Sequence, residues 1–294
     1  MVDSIDIANP VRTQAILNQY GLHAKKKFGQ NFLTDSRILD EIVAAAEVGP
    51  DDVVIEIGPG IGALTEQLAK RAKQVLAFEI DPEMVKVLSE TLAPYDNIEV
   101  LEKDILEVDL KAILAEKFGA GQAVKIVANL PYYITTPILT KLLEAGLDWE
   151  NIVVMMQKEV AERLAAQPGS KQYGVLTIMV DYFAKAELAI KVPSSSFNPS
   201  PKVDSAVVKL TPTKPEIPVE DPNQLFKLVK GCFAHRRKSL WNNLKQICVR
   251  NDADKEKVEQ VLAELAINPG IRAERLSLKE MTELYQALAK ASLL

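Results

Sequence analysis

Histidine and cysteine are the scarcest reactive residues of this 294-residue chain, which holds two of each. His23 and His235 are too few and too distant to found a histidine metal site. Cys232 and Cys248 have no CxxC partner and no neighbouring histidine. Their setting argues for buried thiols rather than a disulfide or a zinc site. No apolar run approaches the roughly eighteen residues of a membrane span. Residues 1–10 are acidic and polar, without the apolar core of a signal peptide. The expectation is a cytoplasmic protein with no metal and no membrane. Residues are 48% hydrophobic and 26% charged, which describes a globular protein with a substantial core.

Acidic residues are missing from one stretch. Between Asn223 and Arg250 there are seven Lys/Arg and no Asp or Glu, so seven cations in a chain of net −5 leave −12 for the rest. Such a local patch suits contact with phosphates. A solvated helix face is the bland reading of the same run.

Periodicity sets the organisation. Residues 10–22 have the spacing of a short amphipathic helix. Lys25-Lys26-Lys27-Phe28-Gly29-Gln30-Asn31-Phe32-Leu33 reads as a basic, aromatic arm or lid, and Thr34 or Asp35 caps a helix running to about Ala46. From Asp52 strands and helices alternate, with strands at Val53–Ile57, Val75–Ile80, Ile98–Leu101, Val124–Ala128 and Ile152–Met156. Repeated β-α units of this length predict an α/β fold, a doubly wound and mostly parallel sheet. Glu187–Val192 and Val203–Leu210 read as an antiparallel hairpin at the sheet edge, joined by a Pro/Ser-rich loop that carries Phe197. The expected domains are 1–48 (helices and arm), 49–212 (the sheet domain), 213–220 (a proline-rich linker) and 221–294 (a small all-α domain of about four helices).

Two constellations carry chemistry. Glu56-Ile57-Gly58-Pro59-Gly60-Ile61-Gly62 leaves the first strand for a helix, and Gly58, Gly60 and Ala63 fit a dinucleotide-type glycine loop. Glu79 ends the second strand, where a carboxylate holds ribose hydroxyls. The ligand is thus adenosine-containing, NAD or S-adenosylmethionine. Pro59 removes an N–H that a pyrophosphate would use, Asp104 after the third strand suits an adenine amino group, and no dehydrogenase proton relay is present. These favour S-adenosylmethionine. A purely structural glycine loop is the alternative.

The second constellation is Asn129-Leu130-Pro131-Tyr132 with Phe197. The Asn129 side-chain oxygen and the Leu130 carbonyl, fixed by Pro131, suit the two hydrogens of an exocyclic amine. Tyr132 and Phe197 suit the two faces of an extruded base. An ordinary strand exit and a hydrophobic plug are the bland readings. Arg236, Arg237 and Lys238, read as lying on a helix start, join Lys25, Lys26 and Lys27 as candidate contacts to a phosphate backbone.

These runs, with Phe197-Asn198-Pro199-Ser200-Pro201-Lys202-Val203-Asp204-Ser205-Ala206 and Phe233-Ala234-His235-Arg236-Arg237-Lys238, resemble the ribosomal RNA adenine N6,N6-dimethyltransferase family of the KsgA type. The resemblance extends over essentially the whole chain. It implies a Rossmann-like methyltransferase domain followed by a small helical domain. Cofactor contacts are implied at Asn31, Leu33, Gly58, Glu79, Asp104 and Asn129, and a target-adenine site at Asn129–Tyr132 and Phe197. The implied reaction is S-adenosylmethionine-dependent dimethylation of two adjacent adenines in a loop near the 3′ end of 16S small-subunit rRNA. The implied partner is that RNA or the assembling 30S subunit, met by a monomer. A large-subunit methyltransferase of the antibiotic-resistance type and an assembly factor with incidental catalysis are the rivals.

Overall fold

The structure is a computed structural model that describes residues 5–22 and 31–294. The basic run Lys25–Lys27 lies outside the described residues.

In chain order the first elements are α1 (Pro10–Gln19), β1 (Phe32–Leu33), α2 (Ser36–Ala45), β2 (Val53–Ile57), α3 (Ala63–Ala69), β3 (Gln74–Glu79), α4 (Pro82–Thr91) and β4 (Ile98–Glu102). There follow α5 (Leu110–Phe118), β5 (Val124–Asn129), α6 (Thr135–Glu144), β6 (Trp149–Gln157), α7 (Lys158–Leu164), α8 (Val175–Phe183), β7 (Ala184–Val192), β8 (Phe197–Asn198) and β9 (Ser205–Pro212). Four helices close the chain: α9 (Pro222–Cys232), α10 (Leu240–Cys248), α11 (Asp252–Glu264) and α12 (Leu278–Lys290).

The chain divides into two compact units. One contains 1–161 with 186–212, the other 162–185 with 213–294. In the first, seven strands form one sheet in the order β4-β3-β2-β5-β6-β9-β7. β2, β3, β4, β5 and β6 pair in parallel, whereas β9 pairs antiparallel with β6. All five residues of β2 are buried, as expected of a central parallel strand covered on both faces. The strand order reverses between β2 and β5. Their carboxyl ends therefore frame the crevice where open α/β sheets bind ligands.

The two late strands, β7 and β9, are neighbours at one edge of the sheet, where the expected hairpin puts them. β9, the last in sequence, inserts between β6 and β7, which leaves β7 at the edge. A second ladder joins β1 to β8, pairing Phe32 with Asn198 and Leu33 with Phe197. Residues 32 and 33, read as part of an arm, are thus a built strand.

Local chemistry explains the helix starts. Asp35 caps α2 by accepting from Arg37 N, and Asp81 caps α4 ahead of a proline in its first turn. α3 starts from Gly62 at φ 94°. The positive φ favours glycine, and a Cβ there would press on the Leu92 side chain just after α4, 2.9 Å from its Cδ2. The N-terminal segment is held by the buried carboxylate of Glu66 on α3, which accepts from Ile7 N at 2.7 Å and from the Tyr95 hydroxyl at 3.0 Å.

In the helical unit, α9–α12 match the four helices expected from the sequence. Residues 162–185 belong with them, including α8, whose Tyr182 and Phe183 rings pack on Phe226 of α9. The proline-rich stretch after β9 is pinned along α8: Thr213 N donates to Phe183 O and Val219 N to the Tyr182 hydroxyl. Cys232 and Cys248 are free, buried thiols.

Candidate active site

One cavity at the carboxyl ends of β2–β5 is lined by Asn31, Leu33, Gly58, Glu79, Asp104, Asn129, Leu130, Pro131, Tyr132 and Phe197. Every residue singled out from the sequence for cofactor or base therefore borders the same space. Phe32, Glu56, Ile80, Lys103 and Tyr133 border it as well. The sequence signal for these was weak: an apolar, aromatic or charged residue beside a motif has many ordinary uses.

The three glycines of the loop already spend their N–H groups. Gly58 N donates to Phe78 O at 3.0 Å, Gly62 N to Pro59 O at 2.9 Å and Gly60 N to Glu79 Oε2 at 3.3 Å. Glu79 Oε1 accepts from Ile80 N at 2.8 Å and Asp81 N at 2.9 Å. Three backbone donors thus fix the Glu79 carboxylate at the end of β3. Burial nevertheless raises its pKa above the ordinary value, the backbone bonds opposing that shift. A pyrophosphate would find these glycine N–H groups taken and a carboxylate beside them. A ribose, which offers hydroxyl donors, suits the same place.

Asp104 holds one carboxylate oxygen by accepting from Leu106 N at 2.8 Å; the other is not used by the described residues. Glu56, at the end of β2, is fully buried and its Oε2 has no hydrogen-bond partner among the described residues. Burial, with the charge of Glu79 nearby, pushes its pKa up to about 8, so Glu56 is largely neutral at pH 7. With an oriented ribose acceptor, a second carboxylate and the N–H groups of Gly58, Gly60 and Gly62 already engaged, the residues fit S-adenosylmethionine better than NAD.

The Asn129–Tyr132 turn is built by backbone bonds. Leu130 N donates to Met155 O of β6 at 3.1 Å, while Ile134 N and the Thr135 hydroxyl both donate to Pro131 O at 3.1 Å. The Leu130 carbonyl is not among the acceptors this turn uses, and no described residue hydrogen-bonds the Asn129 side chain. Among the described residues, two acceptors at adjacent positions are therefore left for a ligand. Phe197 is buried, reached by a 3₁₀ turn over Ser194–Ser196, and Tyr132 is half-buried with its hydroxyl 2.7 Å from Ser205 Oγ. Burial raises the Tyr132 pKa, with the Ser205 bond opposing, so the phenol stays neutral. His235 is the one described histidine and lies in the helical unit. No group of three His, Cys, Asp or Glu among the described residues is placed to hold a metal ion.

The basic candidates need a correction. Arg236, Arg237 and Lys238 lie in the turn before α10, whose cap is Ser239, and not on a helix start. The Arg236 guanidinium is engaged inside the helical unit. Its Nη2 donates to Lys171 O at 3.1 Å, Tyr173 O at 2.9 Å and Glu274 Oε2 at 3.0 Å. Arg237 and Lys238 are exposed, and their side chains have no partner among the described residues. The contiguous cations thus divide into one structural clamp and two free charges, which the sequence could not separate.

Comparison with known proteins gives the family of the chain. Residues 21–290 match the family model described as ribosomal RNA adenine dimethylase. Over 288 residues the chain is 64% identical to the ribosomal RNA small subunit methyltransferase A of Leuconostoc citreum, covering 98% of both chains. Among solved structures, a dimethyladenosine transferase from Plasmodium falciparum superposes with a TM-score of 0.73 at 30% identity, covering 89% of this chain and 98% of that one. The 23S rRNA methyltransferase ErmE gives a TM-score of 0.62 at 30% identity, covering 88% and 100%. The chain belongs to the ribosomal RNA adenine dimethylase family and is an S-adenosylmethionine-dependent methyltransferase.

Proposed function

We propose that the protein dimethylates N6 of two adjacent adenines in the loop of a hairpin near the 3′ end of 16S rRNA, in the cytoplasm and during small-subunit assembly. The observation that carries the proposal is a pair of acceptors unused among the described residues, Asn129 Oδ1 and the Leu130 carbonyl, which line one cavity with Tyr132 and Phe197. The small-subunit address is supported by 64% identity to a relative named for that subunit, against 30% to the large-subunit enzyme.

Asn31, Leu33, Gly58, Glu79, Asp104 and Asn129 would hold S-adenosylmethionine, Glu79 at the ribose and Asp104 at the adenine amine. When bound, that group supplies an electrophilic sulfonium methyl. The target N6 is a poor nucleophile because its lone pair is delocalised into the ring. Asn129 Oδ1 and Leu130 O accept its two hydrogens and draw the lone pair out of conjugation. Pro131 fixes that carbonyl, while Tyr132 and Phe197 hold the ring faces and exclude water. Catalysis is then positioning and electrostatics, with no strong base required. Arg237 and Lys238, with Lys25–Lys27, contact RNA phosphates, and residues 221–294 act as an RNA-binding domain.

The test is methylation of both ribosomal RNAs by the purified protein, mapped by primer extension. Stops at paired adenines near the 3′ end of the small-subunit RNA support the proposal. Stops confined to large-subunit RNA would replace it with the antibiotic-resistance reading.

A further inference from the structure

Both aromatic walls of the proposed base slot are tied to one dipeptide. Ser205 opens β9, is 1% exposed, and pairs with Gln157 of β6, so its hydroxyl projects from a rigid strand. That hydroxyl meets the Tyr132 hydroxyl at 2.7 Å. Its neighbour Asp204 accepts from Ser194 N through Oδ1 at 2.9 Å, while the Asp204 carbonyl accepts from Lys158 N at 3.0 Å. Ser194 begins the 3₁₀ turn that ends at Phe197, and its carbonyl takes Phe197 N and the Ser200 hydroxyl. Tyr132 and Phe197 are 65 residues apart in sequence, yet each is secured by one of two consecutive residues.

We infer that Ser205 and Asp204 are positioning residues for methyl transfer: Ser205 Oγ fixes the Tyr132 ring by its hydroxyl, and the Asp204 carboxylate fixes the turn that delivers Phe197. The inference rests on the reading of this site as an adenine slot. One strand end then sets the separation and tilt of the two walls. An adenine that already bears one methyl must re-enter the same slot with its amine turned to present the remaining hydrogen. The second transfer is therefore more sensitive to wall geometry than the first. Neither residue needs to touch RNA or cofactor for this.

The experiment compares Ser205→Ala, Tyr132→Phe and their double variant with Asp204→Ala and Asp204→Asn, using small-subunit RNA and S-adenosylmethionine. Ser205→Ala and Tyr132→Phe each remove one side of the same hydrogen bond. Each lowers kcat/KM about three- to tenfold, the double variant is no worse than the weaker single, and the product shifts from dimethyl- toward monomethyladenosine. Asp204→Ala shifts it likewise, whereas Asp204→Asn, which keeps an acceptor oxygen, stays near wild type. S-adenosylmethionine affinity by titration calorimetry is unchanged throughout, which separates positioning from misfolding. Additive losses, or single variants with the wild-type product ratio, overturn the inference. Absence of coupling between Ser205→Ala and Tyr132→Phe in thermal unfolding overturns the tether whatever the activity. A wild-type protein that methylates no adenine contradicts the proposed function itself, an outcome distinct from indifferent variants of an active enzyme.

Discussion

Leu33 and Phe197 stand opposite each other across the two-residue ladder of β1 and β8, and beside them Thr34 N donates to Ser196 O at 2.9 Å. One residue is proposed for the cofactor and the other for the base, so the ladder joins the two halves of the site. Phe197→Leu keeps the core filled but removes the π-face. Stacking of about 1–3 kcal/mol per base then predicts a roughly 5- to 150-fold loss in kcat/KM for RNA. S-adenosylmethionine affinity stays near wild type. Steady-state kinetics with calorimetry checks this, and an equal loss of cofactor affinity would contradict it.

Glu56 gives the folded protein a pH signature. Its pKa of about 8 stands against an ordinary 4.5. Between those values the folded chain holds a proton that the unfolded chain has released, so stability falls as pH rises through the window and levels off above it. The slope is at most about 1.4 kcal/mol per pH unit for this proton. Glu79 shifts in the same direction. Glu56→Gln removes the Glu56 share, and the variant gains stability relative to wild type from pH 5 to pH 8. Denaturant unfolding at both pH values measures this, and parallel pH profiles would refute it.

Gly62 is constrained by packing as well as by its positive φ. Gly62→Ala brings a methyl to within 2.9 Å of Leu92 Cδ2. The expected cost is about 1–3 kcal/mol from overpacking and backbone strain. Thermal unfolding reads it directly, and an unchanged Tm would remove the close α3–α4 approach from the account.

The three adjacent cations should behave differently. Arg236 is 47% exposed at its side chain and holds two carbonyls and Glu274. Arg236→Ala is expected to lower the stability of the helical unit by about 1–2 kcal/mol. Arg237→Ala and Lys238→Ala leave the melt unchanged. If both cations meet phosphates, each reduces the slope of log affinity against log salt by about 0.7–0.9. RNA binding from low to moderate salt checks both expectations.

Much of this was legible in local sequence. Val53–Ile57 is an uninterrupted apolar run and forms β2 with those bounds. Glu79 and Asn129 were identified because strand ends in a β-α alternation are where ligands bind, and both border the cavity. Four closing helices followed from periodicity and breaks. What was not legible depends on distant pairing. Nothing in Ser205–Pro212 says that it slides between β6 and β7, and nothing in Phe32–Leu33 announces a partner at 197–198. Residues 162–185 fall inside the expected sheet domain of 49–212 yet pack with the helical unit. The Arg236 clamp is invisible for the same reason, since its acceptors are backbone carbonyls at positions 171 and 173 and a carboxylate at 274.

Asn129 tests the central claim most directly. Small-subunit RNA is incubated with S-adenosylmethionine and either wild-type protein or Asn129→Ala, then digested to nucleosides for mass spectrometry. Wild type is predicted to yield N6,N6-dimethyladenosine, and Asn129→Ala to yield neither mono- nor dimethyladenosine while still binding RNA. Near-normal dimethyladenosine from Asn129→Ala would contradict the account of how the amine is held.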